Sequence, residues 1–121
     1  METVNHEYFV SLEVAKLLRD TGFDWECREC YPSSFMACRY EEYAKPTLEV
    51  SQRWLREVKG IHLYVRPILD ERKYVVTVVV GDLTWGQVID NTGTAKRFNT
   101  YEEAQEAGIK KALEIILEKV E

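Results

Sequence analysis

A chain of 121 residues with 45% hydrophobic and 31% charged residues has the size and composition of one soluble globular domain, able to bury a core without disulfide or metal staples. Its formal net charge of −5, about −3 over residues 1–60 and −2 over 61–121, lacks the electrostatic footprint of a phosphate-backbone binder. The apolar runs fall far short of the ~20 residues that span a bilayer, and METVNHEYFV has no basic stretch followed by an apolar core, so neither a membrane span nor a signal peptide is expected.

Residues 1–10 read as a lead-in. Ser11 is placed to cap a short helix over 11–20, with Leu12, Ala15, Leu18 and Arg19 on one side and Gly22 where a left-handed C-terminal cap belongs. In the segment 25–43, two aromatic-rich runs flank the turn signal Pro32-Ser33-Ser34, which predicts a hairpin. Lys45-Pro46 then punctuates the chain. Thr47 caps a helix running to about Val58, with Leu48, Ser51, Leu55 and Val58 on one stripe and Trp54 beside it, and Gly60 ends it.

Ile61 to Val80 is the organising stretch. Ile61, Leu63 and Val65 alternate with His62, Tyr64 and Arg66, the period of a strand with one buried face. Pro67 removes a ladder donor, so this strand either ends there or lies at an edge. Asp70 to Lys73 supply a polar connection, and Tyr74–Val80, apolar at both parities, reads as a central strand. A third strand is expected at Trp85–Ile89 or at Thr94–Phe98, with Asp90 to Gly93 as the turn. The last helix, 100–118, opens with the capping box Thr100-x-x-Glu103 and carries Ala104, Gly108, Ala112, Ile115 and Ile116 as an apolar stripe whose first half is small. Small residues there let a helix approach a sheet closely.

Chemistry-bearing residues are present without a constellation. Cys27-x-x-Cys30 with Cys38 invites a zinc or thiol reading, but a fourth ligand would have to be the remote His6 or His62, and Glu26 and Glu29 beside the thiols oppose thiolate formation. Small buried hydrophobes are the ordinary role of free cysteine. Three cysteines without an export signal point to reduced thiols in a cytoplasm. Ser33 and Ser34 share no local motif with either histidine, and the pairs Glu41-Glu42 and Glu102-Glu103 have surface or capping explanations. His62 reads as a half-exposed strand residue beside Tyr64. The aromatic segment is the stronger feature: Trp25, Tyr31, Phe35, Tyr40 and Tyr43, interleaved with Arg28 and Arg39, suit a protein interface or stacking on single-stranded bases. A small satellite core under a loop would use the same residues.

Two resemblances add to this reading. The order helix, hairpin, third strand, helix over 47–118 resembles the α-β-β-β-α plan of double-stranded-RNA-binding domains. That family reads phosphates with a lysine pair at the start of its last helix. Glu102 and Glu103 stand there in this chain, and Lys110-Lys111 come two turns later, so the resemblance implies the topology more than the RNA contacts. SLEVAKLLRDTGFDWEC at 11–27, PTLEVSQRWLREVKGIHLYVRP at 46–67 and TYEEAQEAGIKKALEII at 100–116 are similar, in that order, to short uncharacterised proteins from genomes and prophages of gut-dwelling Bacteroidetes-type bacteria. This implies a phage- or mobile-element-associated cytoplasmic protein, in a pattern that does not hold Cys30 and Cys38 fixed.

The expectation is a single α+β domain over 1–121: an N-terminal helix and aromatic hairpin in 1–45, then an antiparallel sheet with helices 47–58 and 100–118 on one face. The expected function is non-catalytic binding of a protein, a second copy of the chain included, through Trp25, Tyr31, Phe35, Arg39, Tyr40 and Tyr43, with no cofactor and no membrane. The alternatives are nucleic-acid binding through that segment or through Lys45, Arg53, Arg56 and Lys59, and a zinc- or thiol-dependent activity at Cys27, Cys30 and Cys38.

Overall fold

The computed structural model describes residues 8–25, 30–32, 42–80, 84–88 and 93–118. The chain forms helix α1 (Leu12–Thr21), strands β1 (Cys30–Pro32) and β2 (Glu42–Ala44), helix α2 (Leu48–Trp54), a π-helical turn (Leu55–Lys59), strands β3 (Ile61–Ile68), β4 (Lys73–Val80) and β5 (Thr84–Gln87), and helix α3 (Tyr101–Glu118). This is an α+β fold, with the expected order of helix, three antiparallel strands and helix over its larger part.

The caps that define the helices lie where the sequence puts them. Ser11 Oγ accepts from the Val14 N–H at 3.3 Å, and Gly22 closes α1 at φ 99°, a left-handed conformation that favours glycine. Thr47 Oγ1 accepts from the Val50 N–H at 3.2 Å. Thr100 Oγ1 accepts from the Glu103 N–H, while the Glu103 carboxylate reaches back to the N–H of Asn99 instead of that of Thr100. The lead-in does more than precede α1. Val10 donates to the Pro46 carbonyl and Leu48 to that of Tyr8, so residues 8–10 strap the entry to α2, with Val10 wholly buried.

The middle helix departs from its expected phase. After Trp54 the chain widens into a π turn that ends on Gly60, whose N–H reaches back to the Leu55 carbonyl. Each residue of such a turn advances by less than the ~100° of an α-helix. Leu48, Ser51, Trp54 and Leu55 stay buried, but Val58 falls off the stripe and is 50% exposed. Trp54 is buried edge-on to Phe23, and its indole N–H has no hydrogen-bond partner among the described residues.

The main sheet has the order β3-β4-β5, all antiparallel, with β4 in the centre. Ile61, Leu63 and Val65 pair with Val80, Val78 and Val76 and share the face beneath the helices. Pro67 lies within β3 and does not end it. The side-chain amide of Gln52 donates to the Leu63 carbonyl, so the backbone of odd-numbered β3 residues points away from β4. At such an outward position on an edge strand, proline forfeits no ladder bond. Both candidate third-strand segments contribute: β5 pairs along Val80 to Thr77, and Phe98 bridges Tyr74 further down β4, with the Lys96 N–H on the Val88 carbonyl.

Helix α3 lies between the sheet and α1. Its buried surface is broader than the expected stripe, taking in Gln105, Ile109 and Leu113 as well as Ala104, Gly108 and Ala112. The core joins Val10, Val14 and Leu18 to Leu48, Leu55, Leu63 and Ile109. The N-terminal hairpin exists as β1 paired with β2, but Pro32 is a paired strand residue opposite Glu42 and not part of the turn. The expected turn at Ser33-Ser34 lies outside the described residues.

Candidate interaction surface

The aromatic segment first singled out divides in the structure. Trp25 and Tyr43 are partly buried against the core. Trp25 meets Phe23 at 6.4 Å between ring centroids and lies under the Arg53 guanidinium at 5.9 Å. The Tyr43 ring is covered by Arg19 at 5.0 Å and Lys16 at 5.9 Å, both on α1. Tyr31 is opposite Tyr43 in the β1–β2 register. Phe35, Arg39 and Tyr40 lie outside the described residues. Cys30 pairs with Ala44 across β1 and β2, and Cys27 and Cys38 also lie outside the described residues. Among the described residues no group of three His, Cys, Asp or Glu side chains could hold a metal ion.

The cations around α2 are largely turned onto the protein itself. Arg53 pairs with Glu57 at 3.0 Å as well as covering Trp25. Lys45 lies over Phe9 at 5.0 Å, and Lys59 over Trp54 at 5.6 Å. A nucleic-acid backbone would have to compete with these contacts.

Two concave regions are largely self-satisfied, although Arg56 in the second is exposed and has no partner among the described residues. A depression of about 480 Å³ runs between the start of α1, one flank of α3 and residues 96–99. Its charges strap these elements together: the Ser11 N–H donates to Glu106 at 2.7 Å, and Lys110 pairs with Glu13 at 2.9 Å. The hydrogen bond to the Glu13 carboxylate raises the Lys110 pKa above that of an ordinary lysine. A second depression of about 340 Å³ lies between α2 and Tyr101. Beneath it the buried Gln105 amide donates to Gln52 Oε1 at 2.8 Å and to Glu49 Oε2 at 3.2 Å, so α3, α2 and, through Gln52, β3 share one hydrogen-bonded chain.

Among the described residues, Tyr8, Leu12, Val58 and Tyr101 are exposed hydrophobes elsewhere on the fold, and the two most exposed lie along β3 and its turn. Register places His62, Tyr64 and Arg66 with Val75, Thr77 and Val79 on the face away from the helices. His62 stacks on Tyr64 at 6.5 Å and 14°, and Tyr64 is 57% exposed. Val75 on this face is buried, so the outward part is the His62–Tyr64 side. At the tip of the β3–β4 hairpin Leu69 is 84% exposed, and Pro67 is exposed beside it. The alternation in IHLYVR signalled Tyr64. Nothing signalled Leu69, which sits where the strand period has ended.

No protein-family profile, curated protein or solved structure matches this chain. Among the described residues, no helix is long and apolar enough to cross a membrane.

Proposed function

We propose that this chain is a small non-catalytic binding protein acting through protein–protein contact in the cytoplasm, as part of a phage or other mobile element. The observation that carries this reading is the apolar surface left outward along β3 and its turn, Tyr64 and above all Leu69. Burying a leucine side chain is worth about 1.5–3 kcal/mol, which Leu69 would contribute to any contact that covers the hairpin tip. Tyrosine beside arginine and histidine on the adjoining face is interface chemistry. Trp25 and Tyr43 serve packing between α1, β2 and α2, and β3 with its turn offers a second contact surface beside the aromatic hairpin.

The second reading is single-stranded nucleic acid stacked on His62 and Tyr64, with Arg66 toward a phosphate. It is favoured by the parallel ring pair and by a face with no carboxylate among its described side chains.

Native mass spectrometry of the tagged protein, purified gently from cells that carry it, tests both. A second protein or a second copy bound to the wild type and lost from Tyr64→Ser/Leu69→Ser, with circular dichroism unchanged, is the expected result. The same complexes in the variant, or a bound mass removed by nuclease, would overturn it.

A further inference from the structure

Resting on the protein-binding reading, we infer that the pocket at the β3–β4 hairpin tip receives an acidic, apolar peptide segment, a leucine-like side chain flanked by a carboxylate. The pocket measures about 290 Å³ and is lined by Pro67, Ile68, Leu69, Arg72, Lys73, Tyr74 and Asn99. One wall is apolar and the other carries two cations, and no described carboxylate lines it.

The charges are available. Arg72 makes no ion pair or hydrogen bond among the described residues. Lys73 donates to the neutral side-chain oxygen of Asn99, which leaves its charge uncompensated. Glu71, the nearest carboxylate in sequence, is turned away onto Arg97 at 3.0 Å. Two unneutralised cations in a chain of net charge −5 fit an incoming carboxylate, and a guanidinium can hold one through paired hydrogen bonds. Arg72 also occupies φ 56°, a left-handed conformation that L-residues rarely adopt and glycine adopts freely. The turn thus carries a charged side chain at a position where backbone sterics alone favour glycine.

The apolar wall decides the class of partner. A phosphate backbone brings no side chain for Ile68 and Leu69 to cover. It would also meet negative charge from Glu103, whose carboxylate accepts from the Asn99 N–H, and from the exposed Asp70 of the same turn. A single carboxylate beside a leucine meets the cations without presenting a line of charge to those groups.

The test is titration of the isotope-labelled full chain, followed by backbone amide shifts. The probes are an acetylated, amidated peptide of alternating leucine and glutamate, its leucine–glutamine counterpart, and an oligothymidylate. The expected result is that the leucine–glutamate peptide shifts amides of residues 68–74 and 99. Binding should weaken about tenfold in Arg72→Gln and for the glutamine peptide, and weaken further as salt rises to about 0.5 M. Lys73→Gln serves as the second variant if Arg72→Gln disturbs amides beyond the turn.

Equal binding of both peptides, shifts located elsewhere, or oligothymidylate shifting the same amides overturns the inference. If Leu69→Ser still abolishes a protein association while the two peptides bind alike, the partner chemistry is wrong and the protein-binding reading stands. If no association depends on Leu69, that reading has failed as well.

Discussion

A methyl group added at Gly108 would lie 2.6 Å from Cγ2 of Val76 and 3.4 Å from Cδ2 of Leu63. Helix α3 therefore approaches β3 and β4 to a distance that only glycine allows. Two effects compete in Gly108→Ala. Alanine gains about 0.5–1 kcal/mol of helix preference, while forcing extra volume into a packed core costs about 1–3 kcal/mol. The contact is well below ordinary van der Waals separation and falls on a β-branched, buried side chain, so the second effect should win. Urea unfolding should show a lower midpoint at unchanged slope, and the loss should shrink in a Val76→Ala background. A midpoint that stays or rises would mean that Val76 yields to the added methyl group.

The Gln105 amide ties three elements together and should behave as buried polar groups do. Gln105→Leu keeps the volume but removes the donor to Gln52 Oε1 and Glu49 Oε2, which water can partly replace at the half-buried Gln52 and exposed Glu49, so the loss should be about 0.5–1.5 kcal/mol. Because Gln52 in turn holds the Leu63 carbonyl, Gln105→Leu and Gln52→Leu should be coupled by about 0.5 kcal/mol or more in a double-mutant cycle. Additive losses would show the three-element chain to be incidental.

These two sites mark what the sequence could and could not disclose. Ser11, Thr47 and Thr100 were legible because a cap acts over three residues. The strands from Ile61 to Val80 were legible because alternation is local. Gln105 was not, since YEEAQEA reads as a solvated helix start and its partners are 53 and 56 residues away. Pro32 was misplaced because proline in a short strand looks like a turn when the pairing partner, Glu42, is unknown. Of the surface, Tyr64 followed from the strand period. Leu69 did not, because next to Asp70-Glu71-Arg72-Lys73 it resembles the end of a buried strand.

Val58 is the sharpest test of the π turn. On a regular helix it would share the stripe of Ser51 and Leu55, and Val58→Ser would carry a core penalty. Displaced by the wider turn to 50% exposure, it should change stability by no more than about 0.5 kcal/mol. Leu55→Ala, three residues earlier and fully buried, should cost about 2–5 kcal/mol. Comparable losses at the two positions would restore the uninterrupted helix.

Arg72 joins stability to the proposed contact. A left-handed conformation costs an L-residue about 1–2 kcal/mol, while glycine in the unfolded chain loses about 0.5–1 kcal/mol more backbone freedom on folding. Arg72→Gly should therefore stabilise the fold by about 0.5–1 kcal/mol net, read as a raised urea midpoint. Arg72→Gln should not, because glutamine meets the same backbone restriction. The two variants thus separate strain from charge: both remove the guanidinium from the pocket, and only one relieves the turn. A gain in stability accompanied by loss of the peptide contact would identify the strain as the cost of keeping a cation at the hairpin tip. No gain in Arg72→Gly would show that the turn holds no strain, and the retention of arginine there would lose its energetic argument.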